Sequence, residues 1–116
     1  MTLNATPDST SVISDPNTEA SVVFTTRGIS AFSVIIESVG GSFNNQSYTI
    51  YVSNNDLESD FVKLRDVKMG YSNVISNSFT VKNQLWYGSP LYHEFVKISV
   101  PALGENIKSR IFISGR

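Results

Sequence analysis

SYTIYVSNNDLESDFVKL, residues Ser47 to Leu64, alternates apolar and polar side chains, passes through a polar turn and begins to alternate again. A period of two residues places Tyr48, Ile50 and Val52 on one face of a strand. The Asn-Asn-Asp run at 54–56 favours a turn, because these side chains tolerate left-handed backbone and bond their own main chain. The stretch therefore predicts two strands joined by a tight polar connection.

The strongest strand pattern is AFSVIIESV, residues 31–39. Phe32, Val34 and Ile36 fall on one face at a period of two residues. The opposite face is not uniformly polar, because Ile35 lies on it. A strand with apolar residues on both faces is expected at the centre of a sheet or under a cover on each side. Ile36 is therefore predicted to be a core residue.

Strand patterns recur to the end of the chain, with turn residues between them. The remaining patterns cover residues 21–26, 61–67, 74–76 with 78–83, 94–100 and 107–116. The pieces on either side of Asn77 are two short strands or one interrupted strand. Ile98 lies at the centre of its strand and is the second predicted core residue. We predict an all-β fold, an antiparallel β-sandwich of about seven to eight strands, with a closed barrel as the alternative.

The first twenty residues differ from the rest of the chain. They are rich in Ser, Thr, Asn, Asp and Pro, with isolated apolar residues at Leu3, Val12 and Ile13. Such a segment buries too little apolar surface to offset the entropy of ordering it. We therefore predict two parts, an extended, flexible N-terminal arm at 1–20 and a β-sandwich domain at 21–116. The arm is either a disordered tail or a segment that orders on a partner through its three apolar residues.

Composition excludes several classes of function. The net charge of −1 leaves no electrostatic footprint for nucleic acid, and the basic residues Lys63, Arg65 and Lys68 are expected on a solvated strand face. The chain has no cysteine, which excludes disulfides and zinc-thiolate sites. No stretch approaches the roughly 20 apolar residues that span a bilayer, and the N-terminus does not match a signal peptide. The protein is expected to be made in the cytoplasm without membrane contact.

No residue pattern indicates catalysis. The single histidine, His93, has no serine or cysteine in a recognisable nucleophile setting, so a structural role is expected. Asp56, Glu58 and Asp60 have the spacing that opens a calcium loop, but Phe61 stands where that loop requires glycine. A solvated turn is the better interpretation. We expect no catalytic residue, no metal, no cofactor and no enzymatic activity.

The segment NQLWYGSPLYH, residues 83–93, is unusually apolar for a loop. Its Trp86 and Tyr87, with Tyr92, are the candidate residues for contact with a partner. Loop aromatics anchor protein partners or stack on sugars, and they can equally plug the end of a sandwich. All three interpretations stay open from the sequence.

Five segments together resemble the small β-sandwich modules of tailed-bacteriophage virion proteins. They are ISAFSVIIESVGGSF at Ile29–Phe43, the strand and turn at Tyr48–Asp56, Phe61–Leu64, His93–Val100, and the closing Ile107–Arg116 with its terminal ISGR. Related modules decorate capsids, cap or line tails, or lie within fibres. The resemblance brings no catalytic residues with it. It implies location in the virion and contact with the major capsid protein or other virion proteins.

The expected function is that of a capsid decoration, or cement, protein. Such a protein, as a homo-oligomer (a trimer or dimer), bridges major capsid subunits and stabilises the shell because it binds assembled shell and not free subunits. The first alternative is a receptor- or glycan-binding module of a head or tail fibre, which the Trp86-Tyr87 pair supports. The second is a tail or neck connector.

Overall fold

Nine strands occur among the residues that the computed structural model describes, which are 2–5, 10–13, 19–26, 28–53, 60–80, 95–104 and 106–116. The strands are β1 (Thr2–Ala5), β2 (Thr10–Ile13), β3 (Ala20–Thr25), β4 (Ala31–Val39), β5 (Ser47–Ser53), β6 (Val62–Lys68), β7 (Val74–Thr80), β8 (Phe95–Val100) and β9 (Lys108–Gly115). Most are rich in valine, isoleucine, phenylalanine or threonine, which suit the half-buried surface of a sheet.

The strands form two sheets that pack face to face. One sheet has the order β1-β3-β8-β5-β6 and the other has the order β2-β9-β4-β7. From β3 onward all neighbours are antiparallel, which leaves four strands in the first sheet and three in the second. The predicted antiparallel sandwich of about seven to eight strands is confirmed, with seven strands in its antiparallel part, and the closed barrel is wrong.

Two further strands come from the first twenty residues, where the sequence analysis assigned none. Strand β1 runs parallel to β3, and β2 runs antiparallel to β9. Each has four residues, too few for a two-residue period to stand out. Their backbone partners come from the edges of the sandwich, which local sequence does not reveal. The division into an extended, flexible arm and a separate domain stays a prediction.

The core lies between the two inner faces. Alternate residues of β4 and β5 point into it, so Phe32, Val34, Tyr48 and Ile50 are all buried. Both predicted core residues are confirmed, since Ile36 and Ile98 are fully buried. The prediction that β4 is central is also confirmed, because β4 lies between β9 and β7.

Strand β7 is one continuous element, although its sequence is interrupted by an inward polar residue. That residue is Asn77, whose Oδ1 accepts a hydrogen bond from the Tyr48 hydroxyl of the opposite sheet at 2.9 Å. Burial raises the pKa of the Tyr48 hydroxyl well above its usual range, and nearby Arg65 opposes this only partly. The hydroxyl therefore stays protonated and donates. Asn77, the polar residue that interrupts the sequence pattern, therefore forms a hydrogen bond between the two sheets.

Replacing either predicted core residue should destabilise the fold strongly. We expect Ile36→Ala and Ile98→Ala each to lower the free energy of unfolding by about 2–5 kcal/mol, because each leaves a cavity in a packed core. Val62→Ala is the control, since Val62 is 65% exposed and should change stability by less than about 0.5 kcal/mol. Urea denaturation measures all three. Losses below about 1 kcal/mol for both isoleucines would contradict the assigned inner faces.

Candidate functional site

The predicted aromatic contact residues Trp86, Tyr87 and Tyr92 lie outside the described residues. The described strands on either side show where the connection begins and ends. Thr80 pairs with the first residue of β4, and Phe95 pairs with the last residues of β3 and β5. Both positions lie at one end of the sandwich, because residues 26–30 join β3 to β4 there. The described residues on either side of the predicted loop, Thr80 and Phe95, therefore both lie at that end.

The predicted contact residues of the arm lie on two neighbouring edge strands. Leu3 pairs with Val22 at the edge of the five-stranded sheet. Val12 and Ile13 pair with residues of β9 at the edge of the other sheet. The backbones of β1 and β2 approach each other, so these three positions lie on the same side of the sandwich, although on different sheets.

A different cluster lies on the outer face of the five-stranded sheet. It comprises six residues of β5, β6, β8 and the residue before β6, and we call it the aromatic–lysine face: Thr49, Tyr51, Phe61, Lys63, Asp66 and Lys97. The sequence analysis did not predict it. Tyr51 pairs with Lys97 on one side and with Lys63 on the other, so these three lie in one row across three strands.

An irregularity in the pairing of β5 with β6 makes this row possible. Ile50 pairs with Arg65, but the next residue, Tyr51, pairs with Lys63 and leaves Leu64 without a partner. Such a bulge redirects side chains locally. With regular pairing, Leu64 would lie opposite Tyr51. The bulge therefore places a lysine beside the tyrosine on the outer face.

Lys97 fixes the two aromatic rings of this face. Its Nζ lies 4.6 Å from the centroid of the Tyr51 ring and 5.2 Å from that of Phe61. These distances are within the range of cation–π attraction. Lys97 is only 8% exposed, whereas both rings are half-buried and reach solvent. The covered cation holds two partly exposed rings in place.

Beside the rings, three polar side chains are bonded in a chain. The Thr49 hydroxyl donates to Asp66 Oδ1 at 2.7 Å, and Lys63 Nζ lies 2.7 Å from Asp66 Oδ2. The hydrogen bonds from Lys63 and Thr49 hold the pKa of the Asp66 carboxyl below its usual range. The same carboxylate raises the pKa of the Lys63 ammonium. Both groups are therefore charged at neutral pH, and both are well exposed.

The outer face of the second sheet has a different chemistry. Ile35 and Phe112 pair at its centre, and Ser33 pairs with Ser78 on one side and Ser114 on the other. The Ser33 and Ser78 hydroxyls lie 3.1 Å apart. We call this the serine face, defined by these five residues and Ser76. It combines a small apolar centre with hydroxyl groups.

The described ranges contain neither a metal-binding cluster nor a membrane-spanning helix. Within them, no group of three or more histidine, cysteine, aspartate or glutamate residues could hold a metal ion. In the same part of the chain, no helix has the length and apolar character to cross a membrane.

Comparison with known proteins identifies the fold of this chain but assigns it to no family. No protein-family model and no curated protein sequence matches the chain. Among solved structures, the pre-peptidase C-terminal domain of a Bacillus anthracis collagenase matches with a TM-score of 0.50 and 7% identity, over 100% of this chain and 95% of that domain. A periplasmic inhibitor of g-type lysozyme from Aeromonas hydrophila also has a TM-score of 0.50, at 9% identity over 99% and 96% of the two chains.

A cleaved adhesin domain of Lys-gingipain is similar as well. Its TM-score is 0.50 at 12% identity, over 90% of this chain and 67% of that one. Carbohydrate-binding modules match at lower TM-scores. At such identities the likeness shows the fold alone. The chain is a small β-sandwich module whose fold is similar to that of the pre-peptidase C-terminal domain and the cleaved adhesin domain.

The pKa of Asp66 tests the geometry of the polar chain. In wild-type protein, the side-chain carboxyl carbon of Asp66, followed by NMR, should titrate below the ordinary midpoint of about 3.9. Lys63→Met should move the midpoint upward, because the ammonium that stabilises the carboxylate is lost. Lys68→Met is the matched control, since Lys68 is an exposed lysine of the same strand that pairs with Ser47.

The lowered pKa of Asp66 also sets the direction in which stability depends on pH. The pKa of Asp66 is lower in the folded than in the unfolded chain, so its contribution to stability is present above the unfolded pKa. That contribution is lost as pH falls through the folded pKa. Equal titration midpoints of the Asp66 carboxyl in wild-type and Lys63→Met protein would contradict the bonding of Lys63 and Thr49 to Asp66.

Proposed function

We propose that this chain is a non-enzymatic recognition module that binds a glycan on its aromatic–lysine face. The supporting observation is that Lys97 holds the rings of Tyr51 and Phe61 beside the bonded pair Lys63–Asp66. Ligand sites combine aromatic surface with a few placed polar groups, and this face has both.

The rings suit the apolar side of a sugar. A pyranose presents C–H groups on its faces and hydroxyls around its rim, so aromatic rings can contact the former while polar groups bond the latter. Tyr51 and Phe61 are half-buried, which leaves part of each ring for contact. Because Lys97 already occupies one side of the cluster, the ligand would approach the remaining ring surface.

The polar chain suits the hydroxyl groups of a sugar. An ionised carboxylate accepts about four hydrogen bonds, and Asp66 uses two of these positions on Thr49 and Lys63. An ammonium has three protons, so Lys63 retains donors beyond its bond to Asp66. The two side chains thus offer acceptors and donors next to each other.

The face is organised before any ligand arrives. Hydrogen bonds fix the polar groups, and cation–π contacts fix the rings. Binding then requires less ordering of side chains, which costs about 0.5–1.5 kcal/mol for each flexible one.

The resemblance to tailed-phage virion modules suggests where this recognition would operate: in a head or tail fibre, where a glycan on a host cell is the receptor.

A glycan array tests the proposal with labelled protein. Wild-type protein should bind a defined subset of glycans, and Tyr51→Ala and Phe61→Ala should each weaken that binding at least about tenfold, equivalent to about 1.4 kcal/mol. Tyr71→Ala is the matched control, because Tyr71 is 73% exposed and follows β6 at the opposite end of the sandwich. Its binding should equal that of wild type.

Two results would overturn the proposal. One is the absence of binding to any glycan by folded wild-type protein. The other is glycan binding that survives both substitutions in the aromatic–lysine face.

The serine face favours a second candidate, the capsid decoration protein expected from the sequence. A surface on which hydroxyl groups and the Glu37–Arg110 ion pair flank Ile35 and Phe112 suits the wet, polar interfaces of protein assemblies. Quantitative mass spectrometry of purified virions separates the candidates. A copy number close to that of the major capsid protein favours decoration, whereas a low copy number favours a fibre or a tail position.

A further inference from the structure

Strand β7 has one partner among the described strands. It lies at the end of the four-stranded order β2-β9-β4-β7 and pairs with β4 over seven residues without any irregularity. An edge strand of this kind presents backbone N–H and C=O groups on its outer side.

The hydrogen bonding with β4 identifies the outward groups. Ser38 N–H donates to the Asn73 carbonyl at 2.8 Å, and the register places these two residues directly opposite each other. In an antiparallel pair, bonded and non-bonded residues alternate along each strand. The residues of β7 whose backbone groups face away from β4 are therefore Val74, Ser76, Ser78 and Thr80. The Ser72 hydroxyl donates to the Val74 carbonyl at 3.2 Å, which agrees with this direction.

Edge strands usually carry features that oppose pairing, such as charges, proline or a bulge. The edge of the other sheet, β6, has Lys63, Arg65, Asp66 and Lys68 and takes part in the bulge. Strand β7, VISNSFT, has neither charge nor proline. Val74 is 56% exposed, and the serines and threonine on the same face are also exposed. The two edges are thus chemically different.

We propose that β7 pairs with β7 of a second copy of this chain, antiparallel, with Asn77 opposite Asn77 on a two-fold axis. The two four-stranded sheets then become one continuous sheet. In this register Ser76 lies opposite Ser78, Val74 opposite Thr80, and Ile75 opposite Phe79. Residues with outward backbone groups therefore meet each other, and all seven residues of β7 take part.

The register and the chemistry both favour a second copy. A register shifted by one residue would place the outward backbone N–H and C=O groups of one copy opposite residues whose backbone groups are already bonded to β4. That register is therefore excluded. No like charges meet across the pair, and apolar Ile75 meets apolar Phe79 on the inner side. Arg65 of β6 lies near this edge, with its guanidinium 4.8 Å from the centroid of the Phe79 ring. The two copies of Phe79 are four residues apart along the strand, about 13 Å, beyond the Debye length of about 8 Å at physiological salt.

This interface goes beyond the proposed glycan binding and does not depend on it. It adds one consequence. A dimer joined through β7 presents two aromatic–lysine faces, so ligands on a multivalent surface are bound with higher avidity than a single face allows.

Sedimentation velocity tests the pairing. Wild-type protein should change from monomer to dimer as its concentration rises toward about 1 mM. The double variant Ser76→Lys with Ser78→Lys should stay monomeric, because it places lysines opposite each other across the axis. Ser114→Lys is the control, since Ser114 is an exposed serine of the same sheet on β9, away from this edge. It should form dimers as wild type does.

A cysteine substitution tests the register itself. The chain has no cysteine, so Asn77→Cys introduces a single thiol at the axis. Opposite residues in a non-hydrogen-bonded antiparallel pair have Cα atoms about 4.5 Å apart, within the range a disulfide accepts. Asn77→Cys should cross-link into a dimer under mild oxidation, and Ser114→Cys should not.

Four results would overturn the proposal, and three of them concern the dimer directly. They are a wild-type monomer at all concentrations, a dimer that persists in the double lysine variant, and equal cross-linking of the two cysteine variants. A trimer as the concentrated species would overturn it as well, because β7 pairing about a two-fold axis closes with two copies.

Discussion

The burial of apolar residues between two facing sheets determines every other feature of this molecule. Each strand gives alternate side chains to the core, so the residues between them must point outward. Ile36 and Ile98, one from each sheet, are fully buried in this layer. The hydrogen bond from Tyr48 to Asn77 crosses the same layer, and it satisfies the polar groups that the packing would otherwise leave unpaired. Both outer faces follow from this alternation.

The two outer faces differ because the strands use their outward positions differently. On the five-stranded sheet, a bulge and a covered lysine combine to hold rings and charges in a fixed row. On the four-stranded sheet, serines lie on one side of a small apolar centre, the Glu37–Arg110 ion pair lies on the other, and the edge strand carries no charge. We infer recognition of a ligand on the first face and contact between copies at the edge of the second sheet. One sandwich can perform both roles because the first uses the outer face of the five-stranded sheet and the second uses the edge of the other sheet.

Period-two patterns were sufficient to predict the sandwich, its approximate strand number and the core positions Ile36 and Ile98, since these depend on local alternation. The aromatic–lysine face was missed because it needs the pairing of β5 with β6 and β8, and no local pattern contains that information. Lys97 and Ser99 alternate with apolar neighbours and suggest a solvated face, yet both are buried. The strands β1 and β2 were missed because four-residue segments acquire their structure from partners distant in sequence. Trp86 and Tyr87, which the sequence favoured, lie outside the described residues.

Mapping the bound ligand on the protein tests the central claim most directly. Amide and side-chain NMR signals of the labelled protein would be followed while the strongest ligand from a glycan array is added. We expect the shifts to concentrate at Tyr51, Phe61 and Lys97 and to extend to Lys63 and Asp66, while the signals of the serine face stay in place. Shifts centred on Ile35 and Phe112, or a saturable complex that leaves the aromatic–lysine face unperturbed, would contradict it.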